Sequence, residues 1–134
     1  MEGATRPLEL ILARNLLTSL STPAFLVDAQ GEIAFYNEAA GTLLGRRFED
    51  HGPLAPDEWT DRFGPTDEAG DPIPWLNLPL TRALLRNRPG HDRFEVRDVE
   101  GQRTLIEASG LPILGAGGYR GAIAVFWPAE EEAG

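Results

Sequence analysis

The chain has 134 residues, with 12 basic and 21 acidic side chains and a formal net charge of −9. That length builds one domain around one hydrophobic core, and 42% hydrophobic with 25% charged residues is a globular composition, unlike that of disordered or fibrous chains. The acidic excess argues against nucleic acid or an anionic membrane as partner. Cysteine is absent, which excludes disulfides, thiolate chemistry, Cys-ligated metals and any flavin or chromophore linked through sulfur.

All twelve cations are Arg, so lysine Schiff bases and P-loop lysines are excluded as well. No apolar run approaches the ~18 residues of a membrane span. The N-terminus lacks a signal-peptide core, because Glu9 and Arg14 interrupt its apolar residues. These features place the expected protein in the cytoplasm.

Residues 8–20 read as an amphipathic helix, with Thr5 as a candidate N-cap and Pro7 in the first turn. Leu10, Ala13, Leu17 and Leu20 form one stripe, while Leu8, Ile11, Leu12 and Leu16 widen the apolar surface beyond it. Two contact surfaces are expected, one for its own domain and one for a partner helix. Residues 24–28 and 32–37 form a predicted β-hairpin whose turn is the D-x-x-G of Asp28 and Gly31. A short helix follows, with Asn37 as N-cap and Gly45 as its stop.

Residues 46–79 are the least regular, with one expected helix over 56–63 that places Trp59 and Phe63 inward. A helix over 79–88 turns Leu80, Ala83 and Leu84 inward and ends at Pro89-Gly90. Three strands are then predicted over 93–98, 103–113 and 121–127, the first two joined by a second D-x-x-G at Asp98 and Gly101. The acidic tail, 129–134, is expected to be disordered. The organisation is therefore a helix over 1–20, a core domain over 21–128 and the tail.

Catalytic signatures are missing. The acidic pairs Glu49-Asp50, Asp57-Glu58 and Asp67-Glu68 lie in polar loops rather than apolar runs that would raise a carboxyl pKa. There is no nucleophile elbow, H-E-x-x-H or phosphate loop, and no calcium-loop spacing. An enzyme is not expected, nor a metal site. His51 and His91 read as solvent-exposed loop residues, and Glu107 as a carboxylate on the sheet face turned away from the helices.

The segments F-L-V-D-A-Q-G-E-I-A-F-Y-N-E-A-A-G-T-L-L-G (25–45), D-E-A-G-D-P-I-P (67–74), L-P-L-T-R-A-L-L (78–85), D-V-E-G-Q-R-T-L-I-E-A-S-G-L-P-I (98–113) and G-A-I-A-V-F-W (121–127) together resemble the PAS domain family over nearly the whole chain. The resemblance implies an α+β fold: a five-stranded antiparallel sheet in the order 2-1-5-4-3, with short helices on one face over a cavity and the N-terminal amphipathic helix added. It implies a sensory or signalling module rather than an enzyme.

Haem-binding members place a His on the long central helix, and residues 79–88 contain none, so haem is disfavoured. Non-covalent flavin would draw on Trp59, Trp75, Asn77 and Asn37, which have ready structural roles instead. No cofactor is expected. Trp127 runs into Pro128 and the acidic tail rather than the Asp-x-Thr junction of many members, which points to action in trans on a separate output protein.

The expected ligand cavity is lined by Phe25, Val27, Phe35, Leu43 and Trp59 together with Leu80, Leu84, Phe94, Ile106 and Ala124, and would take a small apolar or aromatic ligand. A homodimer is expected through Leu8, Ile11, Leu12 and Leu16 on the helix and Ile123, Val125 and Trp127 on the sheet. Asp28, Gly31, Asn37, Gly45, Asp98 and Gly101 are expected to be structural. The alternative is a ligand-free protein–protein interaction domain whose large side chains fill the core.

Overall fold

A computed structural model describes residues 8–115 and 120–129, with side chains from Leu10 onward. The elements run α1 (Leu8–Thr18), β1 (Ala24–Val27), β2 (Ile33–Tyr36), α2 (Glu38–Leu44), α3 (Pro56–Phe63), α4 (Pro79–Arg86), β3 (Gly90–Arg97), β4 (Arg103–Leu114) and β5 (Arg120–Pro128). Single 3-10 turns at Phe48–Asp50 and Trp75–Asn77 punctuate the irregular middle. The five strands form one antiparallel sheet in the order β2-β1-β5-β4-β3, the α+β arrangement that the resemblance implied. Among the described residues no helix is long and apolar enough to cross a membrane.

Asp28 and Asp98 make the same turn. In each, the carboxylate accepts two backbone N–H groups, from Gln30 and Glu32 or from Glu100 and Gln102, at 2.9–3.0 Å. A glycine then crosses to positive φ, +81° at Gly31 and +82° at Gly101, where a side chain would be strained. The sequence uses this solution a third time, unforeseen, at Asp67, whose carboxylate holds the N–H groups of Ala69 and Asp71 on either side of Gly70.

Cross-strand pairing assigns the two sheet faces. Phe25 pairs with Ala124 and Tyr36, and Gly110 pairs with Ala124, so these residues share the face covered by α2, α3 and α4. Ala24, Leu26, Phe35, Ile123, Val125 and Trp127 lie on the outer face. There α1 covers β1 and β2: Leu10, Ala13 and Leu17 are buried, and the Arg14 guanidinium sits 4.5 Å from the Phe35 ring centre. The opposite side of α1 stays open, with Ile11, Leu12 and Leu16 exposed.

Several boundaries differ from the sequence reading. Helix α1 stops at Thr18, two residues early, in a 3-10 turn that returns Ser19 and Leu20 N–H to Leu16 and Leu17. Helix α4 stops at Arg86 because Asn87, not Pro89-Gly90, adopts the left-handed conformation at φ +56° and closes it. Strand β3 begins at Gly90, since pairing with β4 reaches back to Gly110. Pro128 and Ala129 remain attached to the sheet, Ala129 N–H donating to Leu105 at 2.9 Å. The expected Thr5 cap, the Pro7 turn and the acidic residues 130–134 lie outside the described residues.

Candidate functional site

Asn37 ties three elements together, and its chemistry explains why an amide is needed there. Its Oδ1 accepts the Ala40 N–H at 3.0 Å, capping α2, and the Ala24 N–H at 3.1 Å, closing the β1–β2 pair. Its Nδ2 donates to the carbonyls of Leu17 at 3.1 Å and Thr22 at 2.8 Å, which fixes the end of α1. The side chain is 2% exposed. An acceptor alone would satisfy only half of these partners.

Between the helices and the sheet lies a cavity of about 50 Å3 whose lining is almost entirely apolar. Phe25, Trp59, Leu80, Phe94, Ile106 and Ala124 line it, as do Leu44, Phe63, Ala108 and Phe126, which the sequence reading did not place there. Three rings surround Phe25: it packs on Phe126 at 4.9 Å, Tyr36 at 5.5 Å and Phe63 at 5.6 Å between ring centres. Gly110 lets α4 approach, because a Cβ there would sit 2.4 Å from the Pro79 carbonyl oxygen.

Four expected lining residues lie elsewhere. Phe35 points to the outer face under Arg14, because Leu26 pairs with Phe35 and Phe25 with Tyr36. A register shift between Leu26 and Val27 lets Ala34 be accommodated as an extra residue, so Ile33 and Tyr36 return to one face. Val27 shares the face of Phe25 but sits two residues further along, against Ile33 and Ala122. On α2 it is Leu44 that reaches the cavity, Leu43 being half-buried against the core elsewhere. Leu84 is buried beneath α4 without bordering the void.

Three of the four groups that would serve a flavin are already engaged, and the fourth, Asn77, is exposed away from the cavity. Trp59 Nε1–H donates to the Gly31 carbonyl at 3.2 Å, the Trp75 ring covers Gly31, and Asn37 is saturated. An apolar void needs ~150 Å3 to admit a benzene ring, so the present cavity does not fit an isoalloxazine. Neither His borders it.

The two histidines depart from the sequence reading. His51 is half-buried, its Nε2 2.8 Å from the Tyr36 hydroxyl and its Nδ1 2.6 Å from the Gly52 carbonyl. The Tyr36 hydroxyl also donates to the Arg46 carbonyl at 2.6 Å. Burial pushes the Tyr36 phenol up to about 12, against the opposing pull of the Arg46 and Arg62 charges.

His91 is exposed but belongs to β3, not a loop. Its Nδ1 lies 2.7 Å from Ser109 Oγ, and its Nε2 lies 3.1 Å from Glu107 on the outer face. That trio combines the side chains of a nucleophile, a base and an acid, yet it lies on an open strand face beside Trp127 with no enclosing cleft. Among the described residues no group of three or more acidic or His side chains is placed to hold a metal ion.

The expected interface residues separate into two patches. Ile11, Leu12 and Leu16 are 45–58% exposed on α1. On the sheet's outer face Trp127 is 37% exposed, Leu111 adds apolar surface, and Ile123 and Val125 are half-buried against the core; Leu114, also exposed, falls on the opposite face of β4. The Leu8 side chain lies outside the described residues.

No family model and no curated protein matches the sequence. Solved structures do match the fold. The PAS domain of BvgS from Bordetella pertussis superposes with a TM-score of 0.62 at 17% identity, over 92% of this chain and 88% of that one. The PAS domain of nitrogen regulation protein NR(II) from Vibrio parahaemolyticus gives 0.62 at 16% identity, over 88% and 98%. The LOV protein of Rhodobacter sphaeroides gives 0.69 at 12% identity, over 91% and 68%. The chain has the PAS fold.

Proposed function

We propose that this chain is a non-enzymatic, cytoplasmic signalling module that works by pairing with a second copy of itself, with no bound cofactor. The observation that carries the reading is the unburied apolar surface on α1. A helix that already packs Leu10, Ala13 and Leu17 inward gains nothing within its own domain from Ile11, Leu12 and Leu16 on its other side. A second apolar patch, around Leu111 and Trp127, lies on the outer face of the sheet and supplies what such a helix would cover. The paired module would act on a separate output protein.

Of the two states expected for the core, the filled one is supported by volume. A cavity of about 50 Å3 holds no small aromatic ligand without displacement of Trp59 or Phe63. Native mass spectrometry on protein purified without added cofactor tests both halves of the reading. The expected species has twice the 14.6 kDa chain mass and no adduct. A monomer at micromolar concentration would refute the pairing, and a stoichiometric adduct would refute the filled core.

A further inference from the structure

A second cleft, of about 270 Å3, opens where the end of α2, the end of α3 and the β3–β4 turn meet. Its polar lining is strongly biased. In a chain of net charge −9, it gathers Arg46, Arg62, Arg97 and His51 against the single carboxylate of Asp98. One oxygen of that carboxylate, Oδ1, accepts the N–H groups of Glu100 and Gln102.

Neither Arg46 nor Arg62 has a carboxylate within salt-bridge distance among the described residues. Arg97 borders this cleft and donates one N–H to the Asp61 carbonyl at 2.7 Å, on the side of a neighbouring cleft lined by Asp57 and Asp61. Two guanidiniums without a carboxylate partner at the mouth of one cleft, with a third arginine on its wall, favour an anion there.

The floor of the same cleft is apolar, formed by Leu44, Phe63 and Val99. Leu44 and Phe63 also line the core cavity, so these two side chains form the wall between a charged mouth and an apolar interior. Phe63 is the last residue of α3, ahead of the left-handed Gly64, and is half-buried on Phe25.

We propose that this cleft binds a small carboxylate with a short apolar body. The carboxylate lies among Arg46, Arg62 and Arg97, and the body lies on Leu44, Phe63 and Val99. Guanidinium groups pair with carboxylate in a planar, bidentate manner, and the volume suits a ring or short alkyl chain rather than a nucleotide. The site shares no residue with the pairing surfaces, so it stands or falls independently of the homodimer.

The test is titration of the full-length, isotope-labelled protein with benzoate and with hexanoate, followed by amide chemical shifts at Phe63, Val99 and Gly101. Benzyl alcohol and inorganic phosphate are the controls. At least one carboxylate is expected to saturate these shifts at one equivalent per chain, at least tenfold more tightly than either control. The Arg46→Gln/Arg62→Gln variant, whose altered side chains make no hydrogen bond or ion pair among the described residues, is expected to weaken that binding at least tenfold with the rest of the spectrum unchanged. Failure of both carboxylates to saturate would overturn the proposal. So would phosphate binding as tightly as the carboxylates, or equal binding by the variant.

Discussion

Replacing Asn37 by Ala removes four hydrogen bonds of 2.8–3.1 Å at a position that is 2% exposed. At a net ~1 kcal/mol for each bond, the loss is about 4 kcal/mol, a large share of the ~5–15 kcal/mol that holds a domain folded. Asn37→Ser separates the roles, because a hydroxyl at the N-cap still accepts the Ala40 N–H but reaches neither Leu17 nor Thr22. Serine should therefore recover ~1 kcal/mol, the worth of the cap alone. Urea unfolding followed by far-UV circular dichroism reads both differences, with unchanged slopes expected. A loss below ~1.5 kcal/mol for alanine, or full recovery by serine, would refute the idea that Asn37 holds α1 and β1 together.

Gly110→Ala should destabilise by about 2–3 kcal/mol in the same assay, since the added methyl meets the Pro79 backbone at 2.4 Å and α4 must move; a loss under ~0.5 kcal/mol would contradict that packing. Tyr36 predicts a pH dependence on the alkaline side. Its phenol titrates near 10 when unfolded and at about 12 when folded, so the unfolded chain releases the proton first as pH rises. The associated stability is complete below pH 10 and is lost between pH 10 and 12, amounting to roughly 2–3 kcal/mol. Tyr36→Phe should flatten that window while lowering stability at neutral pH, and an unchanged alkaline slope in the variant would count against the assignment.

What the sequence made legible was local. Leu10, Ala13, Leu17 and Leu20 against Leu8, Ile11, Leu12 and Leu16 showed a two-faced helix; the structure buries Leu10, Ala13 and Leu17 and exposes Ile11, Leu12 and Leu16, while Leu20, beyond the end of α1, is exposed as well. Asp28-x-x-Gly31 and Asp98-x-x-Gly101 marked both turns, because an Asx carboxylate and a positive-φ glycine leave few other conformations. The order of the strands came only through family resemblance, since no local pattern says which edges meet.

The misplacement of Phe35 has a specific origin. Alternation along β2 breaks at the register shift beside Ala34, and a single extra residue exchanges the faces of everything beyond it. The arginine cleft was illegible for another reason. Arg46, Arg62 and Arg97 come from three separate elements, each unremarkable as a surface cation, and only the fold brings them to one opening. The sequence reads His51 as a solvent-exposed loop residue because its partner, Tyr36, lies 15 residues away on a strand.

Pairing through α1 is the central claim, and Leu12 and Leu16 offer the cleanest way to break it. Both are more than half exposed and make no contribution to the buried core, so Leu12→Glu/Leu16→Glu leaves the fold intact while placing two charges on the proposed interface. Sedimentation equilibrium of the wild type and the variant, with circular dichroism to verify folding, measures the effect directly. The expected result is a dimer for the wild type and a folded monomer of 14.6 kDa for the variant. A wild-type monomer, or a variant that remains dimeric, would contradict the account.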